Sequence, residues 1–311
     1  MRLAAIDIGS NAVRLLISET TELGTTLKKL NFFRVPVRLG FDVFEQGCIS
    51  SERSEMLIQT LKAFRHMINA YSVDHVIVCA TSAMRDATNS TVICEDIFHK
   101  TGLHIEIISG ETEARLLFEN HIAEQLSDES AYMYIDVGGG STEISVFSRQ
   151  KLAFKRSYNI GTIRLLKDHV EKSVWDEMKL DVKQNAKVHG SMIGIGSGGN
   201  INKIFSLSKR KEGKPISLEI LKKYQEEMSC LSTEERILRY NIREDRADVI
   251  VPALQIYIQV MRWAGIEDIL VPKIGLVDGL AEHLKEQLLG YNRSISTRAL
   301  PFQLEASSSY F

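Results

Sequence analysis

Apolar and polar positions in the first 40 residues follow the pattern of short strands joined by turns. Two largely apolar runs, residues 3–8 and 12–17, flank a polar Gly-Ser-Asn turn at residues 9–11, and a third run covers residues 27–39. Apolar runs interrupted by Gly, Ser and Asn are typical of strands and tight turns. The pattern predicts an antiparallel strand pair followed by a third strand.

The next segments alternate between helical and strand patterns. After Ser50 and Ser51, apolar residues recur at the spacing of an amphipathic helix that runs to about Tyr71. Later patterns predict strands at 75–81 and 105–109, and helices at 91–100, which stops at Gly102, and at 111–126.

The pattern then begins again in the second half of the chain. IDIGSN starts at Ile6 and IDVGGGST at Ile135, and each ends an apolar run and opens a glycine-containing turn. A third strand is predicted at 151–160, a strand and helix at 191–208, mostly helix over 217–264, a strand at 269–273 and a last helix at 276–289.

This internal repeat has the size of a domain. It predicts an N-terminal domain over residues 1–122 and a C-terminal domain over 123–289, with residues 290–311 as a tail that packs back on the first domain. Two similar domains that face each other form a cleft with both glycine turns at its floor, and such clefts are common ligand sites.

Composition and charge indicate which partners and which cellular location to expect. The chain has 311 residues and a formal net charge of -2, so no global positive field attracts nucleic acid or a membrane surface. Neither a signal peptide nor a membrane-spanning run is recognisable, and the four cysteines form no CxxC pair. We expect a cytoplasmic protein without nucleic-acid or membrane partners, in which the eight histidines are structural or exposed.

The first glycine turn is a candidate phosphate site. Gly9, Ser10 and Asn11 leave backbone N–H groups accessible to an anion, Asp7 can hold Mg²⁺ beside it, and Arg14 adds positive charge. The same pattern also fits a simple hairpin turn.

The second glycine turn carries a stronger pattern. Three consecutive glycines are costly in chain entropy unless a ligand approaches the backbone closely, and Asp136 and Glu143 bracket them as candidate metal ligands. A flexible loop is the alternative. The candidate phosphate-binding residues are Gly138, Gly139, Gly140, Ser141 and Thr142.

A third glycine cluster, residues 194–200, lies between a predicted strand and a predicted helix. A helix N-terminus in this position attracts anions, although the cluster also fits a tight turn without a ligand. Residues 243–254, by contrast, have the pattern of a capped core helix.

Charged residues near predicted strand ends add candidate chemistry. Glu111 and Glu113 begin a helix, where a carboxylate can act as general base, although the helix dipole alone also favours acidic residues there. Arg85 follows a buried strand and can bind phosphate oxygens, although it also fits an exposed arginine at a helix start. Arg164 is a second, weaker candidate for the same role.

Seven motifs together resemble the exopolyphosphatase and guanosine pentaphosphate phosphohydrolase (Ppx/GppA) family, in that family's order. They are AAIDIGSNAVRLLI, ATSAMRDATN, ISGETEARLLF, IDVGGGSTEIS, NIGTIRL, GIGSGGNI and RADVIVPA. The resemblance covers residues 2–289. It implies an α/β protein with an actin-like ATPase fold, made of two ribonuclease-H-like domains with an interdomain cleft.

The resemblance also implies functional roles. It assigns Glu113 as the catalytic glutamate, the two glycine turns and Arg85 to phosphate binding, and Mg²⁺ as cofactor. It also implies a homodimeric enzyme whose substrate is polyphosphate or guanosine polyphosphate. The expected reaction is hydrolytic release of a terminal phosphate. Two alternatives are a guanosine tetra- or pentaphosphate-binding sensor with little turnover, and a sugar-type kinase on the same fold, which the hydrolase motifs disfavour.

Overall fold

A computed structural model of the chain describes residues 1–20, 26–118, 130–149, 151–272 and 275–290. Its first half contains strands and helices in the order β1 (Arg2–Ile8), β2 (Val13–Thr20), β3 (Leu27–Val35), α1 (Leu39–Gln46), α2 (Ser51–Ala70), β4 (His75–Ala80), α3 (Ser82–Asp86), α4 (Ser90–Thr101), β5 (Glu106–Ile107) and α5 (Gly110–Phe118).

The second half repeats the three-stranded start and then becomes more helical. Its elements are β6 (Ala131–Val137), β7 (Thr142–Ser148), β8 (Lys151–Tyr158), α6 (Thr162–Leu166), α7 (Lys172–His189), β9 (Met192–Ser197), α8 (Gly199–Leu207), β10 (Ile216–Ser217), α9 (Leu218–Ser229), α10 (Thr233–Tyr240), α11 (Glu244–Ala247), α12 (Ile250–Ala264), β11 (Asp268–Leu270) and α13 (Leu276–Leu289).

Each half is built around one mixed sheet. The first has the strand order β3-β2-β1-β4-β5 and the second the order β10-β11-β9-β6-β7-β8. In both, the glycine turn joins an antiparallel pair, β1 with β2 and β6 with β7, while the next strand, β4 or β9, lies parallel to the first. The predicted α/β class and the repetition of the fold in two units are confirmed.

Local sequence explains where the observed elements differ from the predicted ones. The third strand was predicted to reach residue 39 but ends at Val35, since Pro36 has no N–H to donate to a strand partner. The chain then turns through Arg38, at φ 58°, into the unpredicted helix α1. Ser50 caps α2 as expected, because its side chain accepts a hydrogen bond from the Arg53 N–H at 3.3 Å.

The last helix, α13, belongs to the second half by sequence but packs against β1, β2, β4 and α5 of the first. Its apolar residues Leu280 and Leu284 lie in a buried cluster that also contains Leu3 of β1 and Tyr134 of β6. The cluster therefore connects the two sheets, and α13 fixes the position of α5. The predicted boundary at residues 122 and 123 and the tail at 291–311 lie outside the described residues and stay predictions.

Within the described ranges, no helix combines the length and the apolar composition needed to cross a bilayer.

We expect Gly279→Ala to destabilise the protein by about 1–3 kcal/mol, the usual cost of overpacking. A β-carbon at Gly279 of α13 would lie 2.2 Å from the carbonyl oxygen of Leu116 in α5, so the two helices must separate. The free energy of unfolding in urea measures the effect. Leu289→Ala, at an exposed position of the same helix, is the control. Equal stability of both variants would contradict the close contact.

Candidate active site

The two halves enclose a cavity of about 420 Å³. Residues from both glycine turns, from the third glycine cluster and from the starts of α5 and α13 line it. The lining includes Asp7, Gly9, Ser10, Asn11, Arg14, Glu113, Asp136, Gly138, Gly139, Ser141, Ser197, Gly198, Gly199 and Asn200. The structure therefore brings most of the predicted phosphate-binding residues together with the predicted base.

Both glycine turns close in the same way. The N–H of Gly9 donates to the carbonyl of Ala12 at 3.1 Å, and the N–H of Gly138 donates to the carbonyl of Ser141 at 2.9 Å. A β-carbon at either glycine would lie 3.2 Å from that carbonyl oxygen, so each turn favours a residue without a side chain. The two turns present equivalent backbone surfaces to the cavity from opposite halves.

Strand register determines which side chains flank each turn. Asp7 pairs with Arg14 across the first hairpin, and Asp136 pairs with Glu143 across the second. The carboxylate of Asp7 forms an ion pair with Arg14. The first hairpin thus neutralises its own charge, whereas the second concentrates negative charge at the same position of the fold.

Three carboxylates meet beside the second turn. One oxygen atom from each of Glu113, Asp136 and Glu143 lies within 4.8 Å of the others. Glu143 accepts a hydrogen bond from the Ser157 hydroxyl at 2.7 Å, but Oε2 of Glu113 is buried without a hydrogen-bond partner. Hard oxygen ligands in such a group suit a divalent cation. Asp7, also predicted as a metal ligand, is not in this group among the described residues.

Burial and mutual repulsion make these carboxylates hard to ionise. Burial, and then the neighbouring charges of Glu143 and Asp136, raise the pKa of Glu113 well above its usual value. Burial and Asp136 raise the pKa of Glu143 to about 7, and burial raises that of Asp136 to about 6. Perturbed carboxyl groups that converge in a cleft are typical of catalytic or metal sites.

Arg85 lies just outside the cavity lining. Its guanidinium donates to the carbonyl of Ile108 at 2.7 Å. Its positive charge lowers the pKa of both Glu113 and Glu143. In this conformation the charge of Arg85 acts on the ionisation of these two carboxylates. Its predicted contact with phosphate stays a prediction.

Two of the predicted loop residues have structural roles in this conformation. A β-carbon at Gly140 would lie 2.3 Å from the Phe44 ring, so this glycine allows the two halves to touch. The Thr142 hydroxyl donates to the carbonyl of Ile160 at 2.5 Å and is buried. Arg164 donates to the carbonyl of Gly140 at 2.7 Å and pairs with Asp86, so it joins the halves.

Residues 243–254 contribute more to the cavity than the sequence indicated, and they lie beside the third glycine cluster. Arg246, assigned there to a capped core helix, lines the cavity beside Gly199 at the N-terminus of α8. Burial and the nearby charge of Arg34 lower the pKa of Arg246 to about 10. Arg34 also lines the cavity and pairs with Asp245. These cations form a second anion-attracting region of the same cavity.

Comparison with known proteins identifies the family. The Ppx/GppA phosphatase family profile matches residues 16–286. The chain belongs to the Ppx/GppA phosphatase family. Among solved structures, a Ppx/GppA family member from Aquifex aeolicus superimposes with a TM-score of 0.72 at 27% identity, covering 94% of this chain and 99% of that one. An exopolyphosphatase from Cytophaga hutchinsonii has the same fold, with a TM-score of 0.80 at 23% identity over 92% of this chain and 98% of its own.

Curated relatives are longer than this Ppx/GppA chain. The bifunctional 3-dehydroquinate synthase/phosphatase of Fusobacterium nucleatum is 36% identical over 168 residues, 52% of this chain and 25% of that protein. The guanosine-5'-triphosphate,3'-diphosphate pyrophosphatase of Pseudoalteromonas translucida is 25% identical over 293 residues, 89% of this chain and 56% of that protein. The chain spans about a quarter and just over half of the lengths of these two relatives.

Family membership and the repetition of the fold in two units thus agree with the resemblance. Both the second and the third glycine cluster line one cavity with Glu113 and Asp136. This arrangement disfavours the alternative interpretations, which were a flexible loop for the second cluster and a tight turn without a ligand for the third. Glu111, the other candidate base, is exposed on α5, while Glu113 faces the cavity.

Proposed function

We propose that this protein is a phosphohydrolase that releases the terminal phosphate from inorganic polyphosphate, guanosine pentaphosphate or both. The observation that carries the proposal is the convergence of Glu113, Asp136 and Glu143 within 4.8 Å, beside a cavity that is lined by Glu113, Asp136 and two equivalent glycine turns. Membership of the Ppx/GppA phosphatase family and the named activity of the Pseudoalteromonas relative support the same reaction class.

In the proposed reaction, water attacks the terminal phosphorus and Glu113 accepts its proton. The bond from that phosphorus to the bridging oxygen breaks, and the shortened chain leaves with this oxygen and the electron pair. A base is most efficient when its pKa lies near the working pH, and burial shifts Glu113 in that direction. The other backbone N–H groups of the two glycine turns, beyond those of Gly9 and Gly138, hold phosphate oxygens from opposite sides. Most of the rate enhancement then comes from positioning and charge stabilisation.

We propose Mg²⁺ as the divalent cation, with Asp136 and Glu143 as its protein ligands and Asp7 beside them. The fit rests on the clustered carboxylate oxygens and on the unpartnered Oε2 of Glu113. When bound, the cation supplies positive charge that favours ionised carboxylates and the phosphate oxygens. We also propose that the protein is cytoplasmic and forms a homodimer. Light scattering of the purified protein tests the oligomeric state.

We expect Arg246→Gln to weaken binding of the phosphate chain by about 10- to 100-fold, the range for one charged hydrogen bond. Arg246 lines the cavity beside the N-terminus of α8, where its charge and the helix dipole attract the same anion. Isothermal titration with tripolyphosphate measures the change. The control is Arg243→Gln, an exposed arginine three residues earlier. Similar losses of affinity in both variants would show that only the overall positive charge matters, and would contradict a direct contact of Arg246 with the phosphate chain.

The decisive experiment measures phosphate release with Mg²⁺ from short polyphosphate, long polyphosphate and guanosine pentaphosphate in parallel. Release that depends on Glu113 supports the hydrolase and ranks its substrates. Tight, saturable binding of guanosine tetraphosphate without phosphate release from any substrate would contradict the hydrolase and support the second candidate function, a nucleotide sensor. The same cavity and the name of the Pseudoalteromonas relative favour that candidate over the kinase.

A further inference from the structure

Three cavity-lining side chains, Lys29, Phe32 and Arg34, follow one another along the edge strand β3. They lead from the cationic region near Arg246 towards α13. We call these three residues the β3 row. Arg34 pairs with Asp245 and is nine-tenths buried, yet its Nε and Nη1 atoms have no hydrogen-bond partner. The inner end of the β3 row is therefore suited to an anion.

A shift in strand register creates the β3 row. Phe32 pairs with Leu16 and Lys29 pairs with Ser18, with an irregularity between these pairs that leaves Leu30 as the extra residue. In a regular strand, residues three apart point to opposite faces, but a β-bulge brings them to the same one. Lys29 and Phe32 can therefore both line the cavity.

Phe32 is an unusual residue for a phosphate cavity. Half of its surface, 52%, is exposed, although it lines the same cavity as the carboxylates. A phenyl ring offers no hydrogen bond to a phosphate oxygen. It does offer a flat face on which a nucleobase can stack, and such stacking contributes substantially to nucleotide binding.

The outer end of the β3 row carries a polar pair that matches one base. Lys29 lies 2.5 Å from Oδ1 of Asp278, and the other carboxylate oxygen accepts the N–H of Gly275 at 2.8 Å. A carboxylate complements the N1–H and N2–H₂ donors of guanine, and an ammonium group complements its O6 acceptor. Adenine presents an acceptor at N1, which a carboxylate repels.

The order of these groups follows the order of groups in a nucleotide. Arg34 and Phe32 are two residues apart on a strand, so their backbones are separated by roughly 7 Å. That separation leaves room for a ribose between an anion at Arg34 and a base on Phe32. An unbranched polyphosphate would instead meet an apolar ring in the middle of its path.

We propose that Phe32, Asp278 and Lys29 form a guanine-binding subsite of the cavity, with Phe32 as the stacking surface and the other two residues reading the base edge. This proposal rests on the proposed function for the nature of the ligand, and it adds the residues that select a guanosine nucleotide over inorganic polyphosphate.

The test measures binding rather than turnover. In a Glu113→Gln background with Mg²⁺, isothermal titration gives the Kd of guanosine tetraphosphate and of inorganic tetrapolyphosphate. We expect Phe32→Ala to raise the ratio of the first Kd to the second by at least about 5-fold, the lower bound for loss of one stacked base. Phe32→Trp keeps the ratio. Phe98→Ala, at a similarly exposed ring on α4, leaves both constants unchanged.

A second variant tests the base edge. Asp278→Asn keeps an acceptor for the Gly275 N–H but replaces one carboxylate oxygen with a donor, so it should favour xanthosine over guanosine tetraphosphate relative to the unsubstituted protein. Equal weakening of both ligands by Phe32→Ala would mean that the β3 row guides a phosphate chain and would overturn the proposal. So would no change in either ligand.

Failure of this proposal and failure of the proposed function are distinguishable. Phosphate release from polyphosphate with an unchanged binding ratio in Phe32→Ala overturns the guanine subsite alone. An altered ratio without phosphate release from any substrate overturns the hydrolase alone and leaves the subsite in place.

Discussion

Glu113→Gln should reduce phosphate release by about 10²- to 10⁴-fold, the usual contribution of a general base. The glutamine side chain has nearly the same shape and still lines the cavity, but it cannot accept the proton of the attacking water. Binding should remain, because the glycine turns and the cavity-lining residues Arg34 and Arg246 are unaltered. Phosphate release under saturating substrate measures the first effect, and isothermal titration measures the second.

The chain offers a matched control for this substitution. Glu111→Gln changes an exposed carboxylate two residues earlier in the same helix, with the same loss of charge near the helix N-terminus. It should keep nearly full activity. If the two variants lost activity equally, the loss would reflect the charge of the helix rather than proton transfer, and Glu113 would not be the base.

Metal-free protein should lose stability as the pH rises from about 5 to 8, and Mg²⁺ should restore it. The folded-state pKa of Glu143 is about 7, above its usual value of 4.5. A carboxyl group whose pKa is higher in the folded state stabilises the fold fully when the pH is below its pKa in the unfolded state. This contribution disappears as the pH rises through its pKa in the folded state. For Glu143 the difference corresponds to roughly 3 kcal/mol. A bound cation compensates the carboxylate charge, so its effect should be largest at pH 8.

Thermal unfolding in EDTA and in Mg²⁺, at pH 5 and pH 8, measures this behaviour. Glu143→Gln removes the titrating group, so it should flatten the pH dependence in EDTA and reduce stabilisation by Mg²⁺. Glu226→Gln, at an exposed position of α9, should do neither. An equal response to pH in wild type and Glu143→Gln would show that the carboxylate cluster does not control stability.

The parts of the site that depend on local sequence could be predicted. The glycine turns, their flanking aspartates and Glu113 all lie within a few residues of a strand end, where the pattern of apolar and polar residues fixes the conformation. The contrast between Arg14 and Glu143 also follows from local sequence, because a hairpin centred on each glycine turn places these residues opposite Asp7 and Asp136. The same register predicts the ion pair between Asp7 and Arg14.

The remainder depends on distant parts of the chain. Arg246 reaches the cavity only because its short helix approaches β3, where Arg34 pairs with Asp245 across 211 residues of sequence. Lys29 shares a face with Phe32 because of a bulge at Leu30 that the apolar pattern of residues 27–39 does not reveal. Helix α1 was missed because it has only eight residues and follows a predicted strand. Each depends on tertiary contacts that overrule local preference.

The packing of α13 on the first sheet has a consequence for how the protein is made. During synthesis the first half emerges from the ribosome long before Leu280 and Leu284, which cover its apolar surface around Leu3. Until then that surface is exposed to other chains and to chaperones. The first half therefore cannot cover this part of its core until α13 has been synthesised.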